Sequence, residues 1–536
     1  MDGFQAELLQ RLPLAQAVLR GFGYMLDPAT LAEVFREHRG RCYEDILRFD
    51  QLVYLIRDAL TVHHGSGQRA FTAAKANGQL PVAEQNVYGK LARLPETLSE
   101  ALLAAGATRL QTLLPIEASA VTIPSTLAGL KLIAFDGKKL KNAAKRLKPL
   151  RGVPGKLLGG KLLVALDVAR GLVLAMSADL DGERNDVPLV PKLVAQVRAR
   201  EAEPILWLGD RQFGNLGIPA LLGARPGDHY LVRCPKSLTL HTDPQRSAES
   251  FVDAEGRTVR QAWGWIGSKR DARRRYLRRI TLERPGEEAV ILVTDLTDGA
   301  CYPAADLLAA YRLRWGIERV FQEVTEVFSL QTLIGATPQA MIFQAAMCFL
   351  LYNLIQVVRA YLAAEGHRPV EQVSSEKLFW DVRDQLTTWT NLGEPEVVVC
   401  LLAVADAAPP AMRSWLRPRC VVAGALGTSK RPRNASRHRR PPGVPKSPGT
   451  MAAIAPHGAS CRPPRPLPAE AEDHESSGLA LPKTSGTLRL RSGQAETGRY
   501  FPPVGNRCHT RRPTRRRPLH QRVPRTLSAR SGGIFS

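Results

Sequence analysis

"PILWLGDRQFGN", residues 204–215, decides how the chain folds. Ile205 to Leu208 are apolar without alternation, and the run is too short for a self-standing helix. A strand covered on both faces reads this way, and strands of that kind are parallel ones with helices packed over them. The strand ends at Gly209-Asp210, and polar residues follow. Asp210 is therefore an acid at the carboxyl end of a buried strand, where it either caps the next turn or serves a site.

Outward from that strand the texture is consistent. "LKLIAFDG" (130–137) is a β-rich run ending in Asp136-Gly137, and "KLLVALDVARGLVLAMSAD" (161–179) reads as a hairpin around Ala169-Arg170-Gly171. "PLVPKLVAQVRAR" (188–200) is an amphipathic helix, and "HYLVRCP" (229–235) is another strand. A more polar, strand-like stretch from about 236 to 287 contains "QAWGWIG" and "RYLRRITLERPG" and reads as a β-rich insertion. "EAVILVTDL" (288–296) then returns to an apolar strand. Strand, hairpin, helix, strand, helix, strand is the order of an α/β fold, a mixed sheet with helices on it.

Residues 1–124 read as helices: "TLAEVFREHRG", "YEDILRFDQLVYLIRDALTVHH", and "QNVYGKLARLPETLSEALLAAG" with a break at Pro95. Residues 125–405 hold the sheet and the helices after it, and residues 406–536 read as a disordered basic tail. The net charge of +24 belongs mostly to that tail. From Arg419 onward there are 23 Lys+Arg against 5 Asp+Glu, which leaves 51 against 45 for residues 1–418. The tail uses 20 Arg to 3 Lys, unlike the mixture upstream. Its composition suits a GC-rich frame read after a frameshift; the rival reading is a basic arm that grips phosphates without sequence preference.

The eight cysteines form no C-x-x-C pair, so neither a zinc site nor a disulfide framework is expected. No secretory leader opens the chain, and a cytoplasmic, nucleoid-associated protein is expected. "MIFQAAMCFLLYNLIQVV" (341–358) is apolar enough for a membrane, but Gln344, Asn353 and Gln356 favour a buried core helix.

The chemistry gathers on "YRLRWGIERVFQEVTEVF" (311–328), read as part of one helix that starts near Pro303. At about 100° per residue, Leu313, Ile317, Val320, Val324 and Val327 form a core face, and Arg312, Arg319, Glu323 and Glu326 a solvated stripe. Tyr311, Arg314, Glu318 and Thr325 fall in a third sector. Glu318 is either half of an i,i+4 ion pair with Arg314 or a site acid. Asp136, Asp210 and Glu318 taken together point to the second. Two acids at strand ends facing a third on a packed helix repel unless cations neutralise them. Mg²⁺, or Mn²⁺ in its place, takes such hard oxygen ligands, and two ions suit the hydrolysis or transfer of a phosphodiester.

These residues resemble the DDE transposases of the insertion-sequence-four group. The resemblance covers roughly residues 20–400. Tyr311, Arg314 and Glu318 fit that group's signature in register, "FDGKKL" and "DRQFGN" resemble its two Asp motifs, and the β insertion sits where the group carries one. The resemblance implies a ribonuclease-H-like core in which Asp136, Asp210 and Glu318 are catalytic and hold the metal. It implies terminal inverted repeats and target DNA as partners, a homodimer in the synaptic complex, a hairpin intermediate, and a helical N-terminal region that binds DNA.

Thr325 departs from the pattern, standing where the signature has Lys. A hydroxyl brings no charge, so Arg319 or Lys138 is the expected substitute beside Tyr311 and Arg314 at the DNA. Trp263 and Trp265 share a strand face; related enzymes use an aromatic residue in this insertion to hold a flipped base, while ordinary packing is the leading reading of the pair. Asp167 and Asp186 read as loop or capping residues. The function expected is a transposase that cleaves element ends and transfers the 3′-hydroxyl strand. The alternatives are a relic that only binds DNA and a nuclease without strand transfer.

Overall fold

In a computed structural model, the residues described are 3–115, 121–140, 159–393, 398, 401–402 and 408–425. They belong to a unit spanning Met1–Pro441. The strands are β1 (Lys131–Lys139), β2 (Lys161–Asp167), β3 (Leu172–Asp179), β4 (Ile205–Gly209) and β5 (His229–Arg233), followed by β6 (Leu240–Thr242), β7 (Glu249–Val252), β8 (Thr258–Ile266), β9 (Arg275–Glu283) and β10 (Val290–Thr294).

Among the described residues these form one sheet in the order β3-β2-β1-β4-β5-β10-β9-β8-β6, with β7 also pairing β8. β4 runs parallel to β1 on one side and to β5 on the other, and all five of its residues are buried. Its unbroken apolar run has that cause. β2 and β3 form the expected hairpin, antiparallel to each other, and β2 pairs antiparallel with β1. The insertion strands extend the same sheet, because β9 pairs antiparallel with β10. β1 runs two residues past Asp136-Gly137, so that dipeptide is not a turn.

The helices are α1 (Gly3–Arg11), α2 (Pro13–Met25), α3 (Pro28–His38), α4 (Phe49–Thr61), α5 (Gly67–Ala76), α6 (Glu84–Leu91) and α7 (Glu96–Gln111), then α8 (Val190–Arg198), α9 (Gly217–Leu222), α10 (Ala304–Leu313), α11 (Gly316–Glu326), α12 (Pro338–Glu365), α13 (Ser375–Leu392) and α14 (Pro409–Ala425). Pro95 caps α7, the expected break. Helix α7 lies on β3 and on α12, so the N-terminal helices share the core of the sheet.

Helix α12 contains the apolar run of the sequence, long and apolar enough to cross a membrane by length and composition, yet residues 341–358 are wholly buried in the protein. Its amides explain why it is a core helix. Gln344 accepts from Ile334 N and donates to the carbonyls of Ser329 and Thr332. Asn353 accepts from Val173 N at 2.8 Å and donates to Val173 O at 2.7 Å. β3 is an edge strand, and Asn353 takes the place of a neighbouring strand there. Glu100 on α7 does the same for Ala178 N. Replacing Asn353 with Leu strands a buried donor and acceptor at about 1–3 kcal/mol each. We expect the urea midpoint to fall accordingly; an unchanged midpoint would remove this role.

Three sequence expectations are corrected. Tyr43–Arg48 is not helical: α4 starts at Phe49, whose N–H is taken by the Glu44 carboxylate, and Tyr43 and Ile46 are exposed. The tail expected from 406 begins with helix instead. Met412, Leu416, Cys420 and Ala423 recur at helical spacing, are buried, and pack α14 against α2 and α12. The basic, proline-rich remainder, with both readings of it, lies outside the described residues. Finally, the helix expected from Pro303 is two helices, α10 and α11, parted at Arg314-Trp315.

Candidate active site

The register of β1 and β4 pairs Phe135 with Gly209. One residue further come Asp136, still within β1, and Asp210, just past the end of β4, so two acids follow the last paired residues of neighbouring parallel strands. The residues around Asp210 explain its motif. Asp210 makes no capping hydrogen bond with its side chain, so its capping role is not realised. Phe213 is fully buried and its ring lies 4.6 Å from that of Phe135. A Cβ on Gly214 would meet Arg233 O at 2.5 Å, so only glycine lets the turn lie against the end of β5. Asn215 then accepts from Gly217 N and Ile218 N and starts α9.

Glu318 reaches the same place from α11, which packs on β1. The link is Arg314, at the break between the helices. Its Nη2 donates to Glu318 Oε1 at 3.0 Å and its Nη1 to Asp136 Oδ2 at 3.4 Å. The Arg314 side chain is 4% exposed and that of Asp136 17%. Asp136 is the strained group. Burial pushes its carboxyl up from 3.8 to about 6; the Gly137 N–H at 2.7 Å and Arg314 pull it down, and the charges of Asp210 and Glu318 push it up again. The i,i+4 pair foreseen between Arg314 and Glu318 is present, and it extends across to β1.

Tyr311 is buried with Arg314 5.8 Å from its ring centroid, and Trp315 is exposed with Arg314 5.3 Å from its own. A cavity of about 400 Å³ opens beside these three and is also lined by Arg233, Arg257 and Arg284. Thr325 donates its hydroxyl to Phe321 O at 2.6 Å, within its own helix. Lys138 donates to the same carbonyl at 3.3 Å and lies 5.2 Å from the Phe321 ring centroid. Of the two expected substitutes for a signature lysine, Lys138 therefore stands one turn from Thr325, while Arg319 is exposed. Trp263 is 1% exposed, donates to Thr297 O, and lies between Arg246 at 3.9 Å and Arg278 at 5.7 Å. It is packed as a core residue of the insertion. Trp265 is half-buried against Tyr276 and Arg274.

Sequence reading missed Asp186. Assigned to a loop, it is 5% exposed, paired with Lys161 at 2.6 Å, and accepts from Gln212 at 2.7 Å. The only hint was Gln212 itself, inside "DRQFGN".

Among the described residues, no three His, Cys, Asp or Glu side chains stand close enough to form a ready-made metal cage. The donor set nevertheless fits a hard divalent cation. Asp136, Asp210 and Glu318 offer only carboxylate oxygens. Burial, with the neighbouring acids adding to it, leaves Asp136 high even with the Arg314 guanidinium beside it. A cation at Asp136 and Asp210 would relieve that strain.

No curated protein matches the chain. A solved structure described as "Cryo-EM structure of piggyBac transposase synaptic complex with hairpin DNA (SNHP)" is similar over 74% of this chain and 85% of that one, at 12% identity and a TM-score of 0.36, too loose a likeness to carry an argument. The match in sequence is narrower than residues 20–400 and falls on the sheet. Residues 118–354, which include Asp136, Asp210, Glu318 and all ten described strands, match the model of the family described as "Transposase DDE domain".

Proposed function

We propose that the chain is a DNA transposase of the insertion-sequence-four group, with a ribonuclease-H-like core formed by β1 to β5. The observation that carries this reading is the pair of acids one residue beyond a shared register, one of which, Asp136, is joined to Glu318 through Arg314, within the span that matches the DDE family. Asp136, Asp210 and Glu318 hold Mg²⁺, or Mn²⁺, which when bound supplies an activated water and stabilises the leaving oxygen of a phosphodiester.

The chain's own residues do the rest. Arg314, which is bonded to Asp136 and Glu318, and Tyr311 line a common cavity and orient the phosphate at the element's end. Arg314 offers a planar fork to phosphate oxygens. Lys138 provides the charge that Thr325 does not. Water cleaves one strand and leaves a 3′-hydroxyl, whose oxygen then attacks a phosphodiester of the target while that bond's 3′ oxygen departs. Residues 1–124 bind the terminal inverted repeats, and two copies of the chain synapse the ends in the cytoplasm, at the nucleoid.

Asp136→Ala, Asp210→Ala and Glu318→Ala should each abolish Mg²⁺-dependent nicking of labelled element ends while leaving a band shift. Retained nicking in any one of them would refute the assignment of that acid. Ends bound but not cut by the unaltered chain would mark it as a relic, and cut ends without joined product as a nuclease.

A further inference from the structure

We propose that Asp186 is a positioning residue that fixes the separation of Asp136 and Asp210, an inference that rests on the reading of those two acids as metal ligands. The two aspartates sit on different strands, and the backbone ladder ends just before them: the last β1–β4 pair is Phe135 with Gly209. Beyond it, no strand pairing holds the two side chains in register. Asp186 spans that gap. Its carboxylate presses on Gly137, the residue after Asp136, so closely that a Cβ there would lie 2.3 Å from its atoms. Its Oδ2 accepts from Gln212 Nε2, two residues after Asp210, at 2.7 Å. One buried side chain thus touches the segment behind each acid.

Lys161 makes this arrangement compatible with a metal site. It lies on β2 opposite Lys139 of β1, and its Nζ is 2.6 Å from Asp186 Oδ1. Both side chains are more than nine-tenths buried, at 7% and 6% exposed. The pair is neutral, so Asp186 adds little repulsion to the charges of Asp210 and Glu318 that already act on Asp136. Its contribution is geometric. Gln212 is exposed, and nothing in the packing of the core needs an amide at that position. The charge-assisted hydrogen bond to Asp186 is what the residue type supplies.

Partners that orient a ligand typically change metal affinity by about 10–100-fold when removed. The test is Mn²⁺ binding to the full chain, followed by electron paramagnetic resonance, with melting temperature measured in parallel. Asp136→Ala serves as the control that the ion read is the one at the site. Gln212→Ala should weaken that binding by about tenfold at an unchanged melting temperature, which a residue with only a structural role would not do. Asp186→Asn should weaken it at least as much; if it fails to fold, Gln212→Ala decides alone. Wild-type Mn²⁺ affinity in a folded Gln212→Ala chain overturns the inference and leaves the metal assignment standing. A wild-type chain with no Asp136-dependent Mn²⁺ binding overturns both.

Discussion

Asp136→Asn is expected to cut no DNA and to be more stable than the wild-type chain. Asp136 is held ionised at neutral pH against burial and two neighbouring acids, with a carboxyl at about 6 in the folded protein instead of 3.8. A folded value above the unfolded one means that the folded chain binds protons more readily. Its share of stability is complete below about pH 4, declines as pH rises through about 6, and is gone above that. The full shift corresponds to roughly 3 kcal/mol at neutral pH, at 1.36 kcal/mol per unit. Asn keeps the acceptor for the Gly137 N–H, gives up the one facing Arg314, and removes the charge.

A gain of about 1–3 kcal/mol in metal-free buffer at pH 7.5 is therefore expected, read from chemical denaturation. The wild-type chain should gain stability between pH 7.5 and 5, and the variant should show less of that slope. Nicking should be undetectable, because an amide is a poor ligand for a hard cation. A variant that is both less stable and flat with pH would show that Asp136 is not strained. Stability bought by loss of cleavage is the mark of a site whose charges are assembled for something other than folding.

Arg314→Met should have the opposite sign and a larger size. The guanidinium is the cation joining Asp136 to Glu318, and its side chain is 4% exposed. Removing one member of a buried charge pair costs about 3–5 kcal/mol, because the acids left behind have no counter-charge. Met keeps much of the volume, so the loss reports on charge more than on packing. In EDTA the variant should unfold at markedly lower urea. Millimolar Mg²⁺ should restore part of the loss, since a divalent ion supplies the missing positive charge, whereas in the wild type the same addition competes with Arg314. Affinity for element ends should drop as well, through the lost phosphate contact. Equal destabilisation with and without Mg²⁺ would mean that the acids do not attract a cation together.

The parts of the fold that were legible are those in which one segment's own pattern decides its state. Ile205–Gly209 has no polar residue to turn toward water, so it declares itself as a central strand. Ala169-Arg170-Gly171 marks the hairpin, and the amides of 341–358 mark a core helix. What was not legible depends on partners distant in the chain. The order β3-β2-β1-β4-β5 rests on pairings that no local period encodes. Helical periodicity runs smoothly through Arg314, yet the helix breaks there. Leu416 and Cys420 of α14 were lost under the charge of the tail.

The site followed the same rule. Asp136, Asp210 and Glu318 stood out because two end strands and one disturbs a stripe. The bridging reach of Arg314 to β1 crosses 178 positions, and helix periodicity alone shows only its link to Glu318. Asp186 looked like a loop acid because its partners, Lys161 and Gln212, lie on either side of it in the chain, 25 and 26 positions away.

The parting of α10 from α11 gives the chain a seam. The loop before α10 is hooked to the insertion, where Trp263 donates to Thr297 O and Arg278 to Tyr302 O, whereas α11 rides on β1. Tyr311 thus sits on the helix whose leading loop is tied to the insertion and Glu318 on the helix against β1, with Arg314 at the joint between them. A displacement of the insertion would act on that guanidinium from the α10 side of the joint.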